Sequence, residues 1–263
     1  MMIGKTGETV TAISTADAAS LTVRGRDLCS DLMGRVGFTE YFYLLVTGHE
    51  PTEEQRYFLD LLLVSIAEHG LVPTNQAARM TLAADPSSIQ GAVAAGILGC
   101  GTVVLGTAQS CGDLLTSARN RAAADGGDTV AALKAELEAI RAARGPAPGF
   151  GHPLHKPIDP RAQRILSLAE AKGVKGGHVA LARAAERLVP EIWGRPLPMN
   201  VSMAIAAVLL DLGFPSAMLK AIPILARTAS LLAHIAEEQE KPIGFFMAGV
   251  AEEAISYKPE TGE

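Results

Sequence analysis

Helical periodicity runs through almost the entire chain while strand signals are nearly absent, and this contrast restricts the fold more than any other feature. Runs of β-branched and aromatic residues bounded by turns are missing. Gln55–His69 places Phe58, Leu61, Leu62 and Ile66 on one face, with Gly70 as a stop. Thr129–Arg144 mixes Ala and Leu with Lys134, Glu136, Glu138 and Arg141, which predicts a solvated amphipathic helix. Asp159 as N-cap, Pro160 at the first helical position and Gly173 beyond the end punctuate another helix. Further helices are predicted over Asn200–Leu212, Ala217–Gln239 and Phe246–Ser256. Polar, Gly-ending Arg119–Gly127 reads as a surface connection. The expected fold class is all-α.

At 263 residues the chain suits one large domain or two coupled ones. Apolar residues make up 48% but aromatics only 5%, so Ala, Leu, Ile and Val must build the core. The middle region is more charged than its flanks, which predicts a large helical domain from residues 1–112 and 200–263 with a smaller helical domain, 113–199, inserted. Ser87–Gly112 carries no charge and is long enough to span a bilayer. Its glycines and alanines instead predict a tightly packed, buried helix pair near a subunit interface, since small residues let helices approach closely. No membrane association is expected. A net charge of -5 argues against a nucleic-acid partner. Cys29, Cys100 and Cys111 show neither metal-site spacing nor a disulfide framework, so a reducing cytoplasm and no metal are expected. The N-terminal MMIGKTGETV lacks the apolar run of a signal peptide.

Chemistry concentrates in the Gly/Pro-rich loop Arg144–Pro160. Gly149-Phe150-Gly151-His152 is followed by Lys156 and then by Asp159-Pro160-Arg161. Glycines let backbone come close to a ligand, and a histidine beside them can donate to a carbonyl oxygen. Arg161 falls in the first turn of a helix, where the macrodipole disfavours a cation unless an anion is also present. Taken alone, these residues are equally compatible with an exposed arginine and an ordinary loop histidine.

Gly-Phe-Gly-His, a spacer, Lys and then Asp-Pro-Arg-Ala resembles the citrate synthase signature. Arg24-Gly25-Arg26-Asp27-Leu28, Phe38, Tyr43-Leu44-Leu45 and Thr47-Gly48 resemble the superfamily's N-terminal segments. Glu68-His69-Gly70 with Ala77-Ala78-Arg79, Asn200-Val201, Leu212-Gly213-Phe214-Pro215, and Ala226-Arg227-Thr228-Ala229 with Ala233-His234 and Glu238-Gln239 resemble later blocks in the same order. The short length and the Lys241-Pro242-Ile243-Gly244-Phe245 ending are more similar to stand-alone citryl-CoA lyases than to full-size synthases. The resemblance implies a citrate synthase-like helical fold, a homodimer or higher homo-oligomer, and small-molecule ligands of two kinds, an acyl-CoA and a polycarboxylate. His69 and His152 would be catalytic and would bind the keto-acid; Arg161 and Arg227 would bind its carboxylates. Lys156, Arg144, Gly149, Phe150 and Gly151 would bind coenzyme A. His234 matches the pattern but sits on an apolar helix face, where a hydrogen-bonded core histidine is expected. His155 and His178 are expected at the surface.

The chain departs from the family pattern where carbon–carbon bond chemistry is done. Ser202 stands where the family has its aspartate base, directly after Asn-Val, and is the residue expected at that catalytic position. Val104 stands nearest the family's enolate-stabilising histidine. The third carboxylate-binding arginine has no counterpart; Lys241 is the nearest cation. The leading expectation is a citryl-CoA lyase-like enzyme that cleaves citryl-CoA, or a related 3-hydroxyacyl-CoA, to acetyl-CoA and oxaloacetate. A non-catalytic CoA- and polycarboxylate-binding homologue or partner subunit, and a citrate or methylcitrate synthase, are the alternatives.

Overall fold

The computed structural model describes residues 9–259. Three short antiparallel strands come first, β1 (Ser14–Ala16), β2 (Leu21–Val23) and β3 (Arg26–Asp27), paired in that order. Strands of two or three residues are too short to show alternation, so they left no signal in the sequence. A π-helical turn, Leu28–Leu32, follows, and the Asp27 side chain at its start accepts from Ser30 N. The helices are α1 (Phe38–Thr47), α2 (Glu53–Ala67), α3 (Pro73–Ala84), α4 (Ile89–Leu98), α5 (Thr107–Asp125), α6 (Thr129–Ala142), α7 (Pro160–Lys172), α8 (His178–Trp193), α9 (Val201–Asp211), α10 (Ala221–Glu240) and α11 (Gly244–Ala254). The described residues are therefore mostly helical.

The chain forms two compact units, one ending at Asp60 and one beginning at Leu61, so the boundary falls within α2. In the first unit, Val23, Leu32 and Leu44 form a core, with Leu28, Val36, Tyr41 and Leu45 against it. Arg24 Nε donates to Leu45 O at 3.2 Å, tying the Arg24–Leu28 segment to the Tyr43–Leu45 one.

The second unit holds two groups of helices. In one, α3 packs on α4, α10 and α11, and α4 on α10. Gly96 of α4 is required here: a Cβ would lie 2.6 Å from Leu231 and 2.9 Å from Thr74 O. Arg79 Nε donates to Glu238 at 2.7 Å, both side chains being 2% exposed, and Glu238 also accepts from Ile243 N and Gly244 N. This buried pair, together with the 2.6 Å contact of Arg79 Nη1 to Glu237, fixes α3 to α10 and shapes the turn into α11; Arg79→Ala would leave the buried Glu238 carboxylate without its cation. In the other group α5 packs on α6 and α9, α6 on α8, and α7 and α8 on α9. Helix α9 is its centre, buried from Val201 to Leu209.

One expectation is corrected here. Arg119–Asp125 is the last part of α5, which ends at Gly126 in the left-handed region (φ 96°), rather than a loop. Arg121 keeps that stretch polar by pairing with Asp125 and Glu136. Ser87–Gly112 contributes α4 and the start of α5, joined by Gly99–Gly106. Ala92 and Gly96 are buried, whereas Leu98 and Val103 are each 86% exposed.

Candidate active site

A cavity of about 400 Å³ opens in the second unit where both helix groups contribute side chains. Its lining includes His69, His152, Arg161, Arg227, Ser202 and Val104. Residues spread over more than 150 positions of sequence are thus brought to one place, as the resemblance implies.

His69 is positioned by the end of α2. That helix stops at Ala67, two residues before the expected boundary, and Gly70 takes φ 70°. Glu68 holds the turn by accepting from His69 N at 2.8 Å and Gly70 N at 2.6 Å, and it also accepts from Ser230. Burial would raise the Glu68 carboxyl, but the hydrogen bonds from Ser230, His234 and Gly70 outweigh it and hold the group below its ordinary value. His234 faces Asn75, Arg79 and Glu68, which makes it the hydrogen-bonded histidine expected on that face.

Arg227, on α10, is 2% exposed. Its Nη1 donates to Asn75 Oδ1 at 3.0 Å, while its buried Nε has no hydrogen-bond partner among the described residues. Among those residues it forms no ion pair, and burial lowers its pKa from the usual guanidinium value. A buried cation with an unmet donor beside a cavity is expensive unless an anion completes it.

His152 ends the Gly149–Gly151 segment, which needs its glycines. Gly149 has φ 76°, and a Cβ there would lie 2.7 Å from both Cys111 and Met203. Gly149 O accepts from Asn200 N, Gly151 N donates to Pro198 O, and Asn200 Nδ2 donates to Gly151 O. His152 Nδ1 accepts from Leu154 N and His155 N at 3.1 and 2.9 Å. That pattern favours the proton of the neutral ring on Nε2, although Arg161 Nη2, itself a donor, lies 3.4 Å from the same nitrogen, so a ligand oxygen placed there would meet donors from both residues.

Arg161 does line the cavity, but a protein carboxylate already answers part of its charge. Its Nε and Nη2 donate to Asp159 at 3.1 and 2.8 Å. Asp159 is fully buried, caps α7 through Arg161 N, and also accepts from Val201 N. Burial alone would raise its carboxyl, but the Arg161 contacts prevail and lower it. This pair locks the start of α7 to the start of α9, so the two loops that carry the site residues share one anchor.

Histidines 155 and 178 are not the surface residues expected; both are partly buried. His155 Nε2 lies 3.2 Å from His69 Nε2, and its ring centroid is 4.4 Å from that of His152. The ring nitrogens of His69, His152 and His155 lie within 4.8 Å of one another, close enough to suggest a metal centre. Yet His152 presents a protonated Nε2, and Arg161 adds positive charge, so the arrangement favours a hydrogen-bonding trio. Burial, Arg161 and His155 hold His69 below the ordinary histidine value; burial, His155 and Arg161 do the same to His152. Both shifts favour the neutral ring. His178 Nδ1 is 2.6 Å from Asp211, whose carboxylate also accepts from the backbone of His178 and Val179 and so caps α8.

Other expected site residues are distributed less tightly. Gly151 lines the cavity; Gly149 and Phe150 instead dock its loop on Met199 and Asn200. Lys156 and Arg144 are exposed and outside the cavity lining. Thr107 escaped the sequence reading. It lines the cavity and donates to Ser202 Oγ at 2.7 Å. Val104 is followed by Leu105 at φ 65°, a conformation a leucine rarely takes.

Comparison with known proteins agrees with this geometry. The family model "Citrate synthase, C-terminal domain" matches residues 50–244. A citrate synthase from Heyndrickxia coagulans is 28% identical over 210 residues, covering 78% of this chain and 53% of that protein, so the chain spans about half the length of that relative. A citryl-CoA lyase from Hydrogenobacter thermophilus superposes with a TM-score of 0.82 at 26% identity, over 97% of this chain and 96% of that one. A mutant ATP citrate lyase from Methanosaeta concilii, in complex with (3S)-citryl-CoA, gives 0.74 at 21% identity, over 98% of this chain and 43% of that one, and bears on the fold alone. With its cavity, its ordered motifs and a family match over most of its length, this chain belongs to the citrate synthase family.

Proposed function

We propose that the protein is a citryl-CoA lyase-type enzyme, cleaving citryl-CoA or a related 3-hydroxyacyl-CoA to acetyl-CoA and oxaloacetate. The carrying observation is the convergence of Arg227, Arg161, His69 and His152 with Ser202 on one cavity. Full-length similarity to a citryl-CoA lyase supports the direction of the reaction. In this reading the Arg227 guanidinium, which lines the cavity, meets a carboxylate of the substrate, and Arg161 meets another. His152 donates an Nε2–H hydrogen bond to the oxygen that becomes the ketone, keeping its proton. Neutral His69 takes the hydroxyl proton, a role the depressed pKa permits. Coenzyme A lies toward Lys156, Arg144 and the Gly149–Gly151 loop, and no metal is needed for these steps.

A coupled assay that detects oxaloacetate released from citryl-CoA tests the reading. Release dependent on His69 and His152 is expected; tight binding of CoA and citrate without release would replace it by a non-catalytic binding homologue or partner subunit. Val104 and Ser202, where the family carries ionisable groups, favour that second reading. The same reading places the protein in the cytoplasm as a homodimer, with Ser87–Gly112 near the two-fold axis and 113–199 acting as the smaller domain. A light-scattering mass near 27.4 kDa at micromolar concentration would argue against the dimer.

A further inference from the structure

We propose that Thr107 and Ser202 form a hydroxyl pair that holds the oxygen of an acyl-CoA enolate; this rests on the lyase reading and deepens it. Thr107 is the first residue of α5 and Ser202 the second of α9, so two distant helix starts meet at the 2.7 Å contact between their hydroxyls. Either hydroxyl can donate to the other, and each owns one proton; when Thr107 donates to Ser202, the Ser202 proton is left for a third group.

The neighbouring lining explains what that group is. Val103, Val104, Leu105 and Val201 offer no side-chain donor. Asn200 gives its Oδ1 to Ser202 N and one Nδ2 hydrogen to Gly151 O. The proton left on the pair is thus a side-chain donor beside an apolar stretch of wall, on a serine that is 5% exposed. In such a setting a hydrogen bond to a developing negative charge is stronger than in water, and a chain of two hydroxyls polarises along its length. The start of the nineteen-residue α5 adds a favourable dipole. Arg227, whose side chain also lines this cavity, would take a different oxygen of the same ligand.

The step balances as follows. The bond between the carbinol carbon and the methylene beside the thioester breaks, and its electron pair becomes the enolate, with charge on the thioester oxygen. The hydroxyl proton passes to His69 as the ketone of oxaloacetate forms. Ser202 donates to the enolate oxygen, with Thr107 donating behind it. A proton from water then reaches the terminal carbon, giving the acetyl-CoA methyl group, and His69 returns its proton to solvent.

The test compares Ser202→Ala, Thr107→Val, the double variant and Thr107→Ser. Removing an enolate donor should lower kcat for citryl-CoA about 100-fold in Ser202→Ala, with KM changed less than about threefold. Thr107→Val should lose about tenfold, the double variant no more than Ser202→Ala alone, and Thr107→Ser should recover most of the rate. Oxaloacetate affinity should stay constant throughout, which also reports folding. Calorimetry with carboxymethyl-CoA, an enolate mimic, against acetyl-CoA in the presence of oxaloacetate supplies a readout that needs no turnover. The unmodified protein should prefer the mimic, and Ser202→Ala should abolish the preference. If citryl-CoA is not cleaved but the Ser202-dependent preference persists, the lyase reading falls and the hydroxyl pair stands. If cleavage proceeds and Ser202→Ala changes neither kcat nor the preference, the pair falls and the lyase reading stands. Fully additive losses, or no preference and no cleavage, also overturn it.

Discussion

The two chemical characters of the cavity lining were built differently. His69, His152, Arg161 and Arg227 are each fixed by a second layer: Glu68, backbone amides, Asp159 and Asn75 respectively. The region of Val103, Val104, Leu105 and Val201 is apolar, and its polarity comes from the Thr107–Ser202 contact. The first set matches what a polycarboxylate needs; the second has lost the charged groups that the family pattern places there. The lesson is that binding and bond-breaking are separable in this fold. Recognition of carboxylates needs fixed cations. Breaking a carbon–carbon bond needs a place for charge that exists only in transit.

The largest expected effect breaks the first set. Arg227→Ala should weaken oxaloacetate or citrate binding by about 1.5–3 kcal/mol, roughly 10- to 150-fold, and leave CoA affinity within about twofold. Equal losses for both ligands by calorimetry would erase the distinction between the two sets. Next, Ser202→Asp puts a carboxylate in place of the hydroxyl that the enolate oxygen would meet. It buries a charge beside Thr107 and removes the donor, so methyl-proton exchange of acetyl-CoA with oxaloacetate bound should not exceed that of the unmodified protein. Exchange about tenfold faster, in a folded variant that binds both ligands, would show instead that position 202 faces the acyl methyl group and not the thioester oxygen.

The first set was far more legible in sequence than the second. Arg161, His152 and His69 sit in short motifs, and helix punctuation by Asp159, Pro160 and Gly173 located α7 to the residue. What the motifs concealed was the partner: Asp159 looked like a cap alone, yet it also holds Arg161 and Val201 N. Thr107 was invisible because its role depends on α9, nearly a hundred positions away, and no local period encodes that meeting. His155 was misplaced for a similar reason. Its polar loop neighbours suggest solvent, while the turn closed by His152 Nδ1 carries it back against His69. The N-terminal strands were too short for alternation to register, and the exposed face of α4 shows that an uncharged stretch need not be buried within its own chain.

A pH profile sharpens the electrostatic side of the comparison. Folding lowers the pKa values of His69 and His152 below 6.5, chiefly through burial. The unfolded state therefore binds protons more readily, so these residues subtract stability as pH falls below 6.5 toward their folded values, and subtract nothing at pH 8. Neutral rings are needed for catalysis, so the acid limb of kcat/KM should lie below pH 6.5. Charge on His155 contributes to both depressions; His155→Gln should move the limb upward, toward 6.5. A limb that stays in place, or moves down, would mean that neither ring controls the rate.

The smallest effect concerns Lys156, the part of the expected CoA site that lies outside the cavity lining. Its ammonium is exposed, so its attraction to a phosphate works through water and is worth about 0.2–1 kcal/mol, a factor of roughly 1.5 to 5 in affinity. Lys156→Ala should therefore weaken CoA by no more than about fivefold at low salt. At physiological ionic strength the screening length is about 8 Å, and the difference between variant and parent should shrink toward nothing as salt is added. If, as proposed, Arg161 and the buried Arg227 are the cations that meet oxaloacetate, its affinity should not respond to Lys156→Ala at any salt concentration. This contrast separates an exposed steering charge from a buried recognising one. Unchanged CoA affinity at low salt would remove Lys156 from the site. A large loss that salt does not diminish would mean that the loop closes over the ligand and buries the ammonium, joining Lys156 to the fixed cations instead.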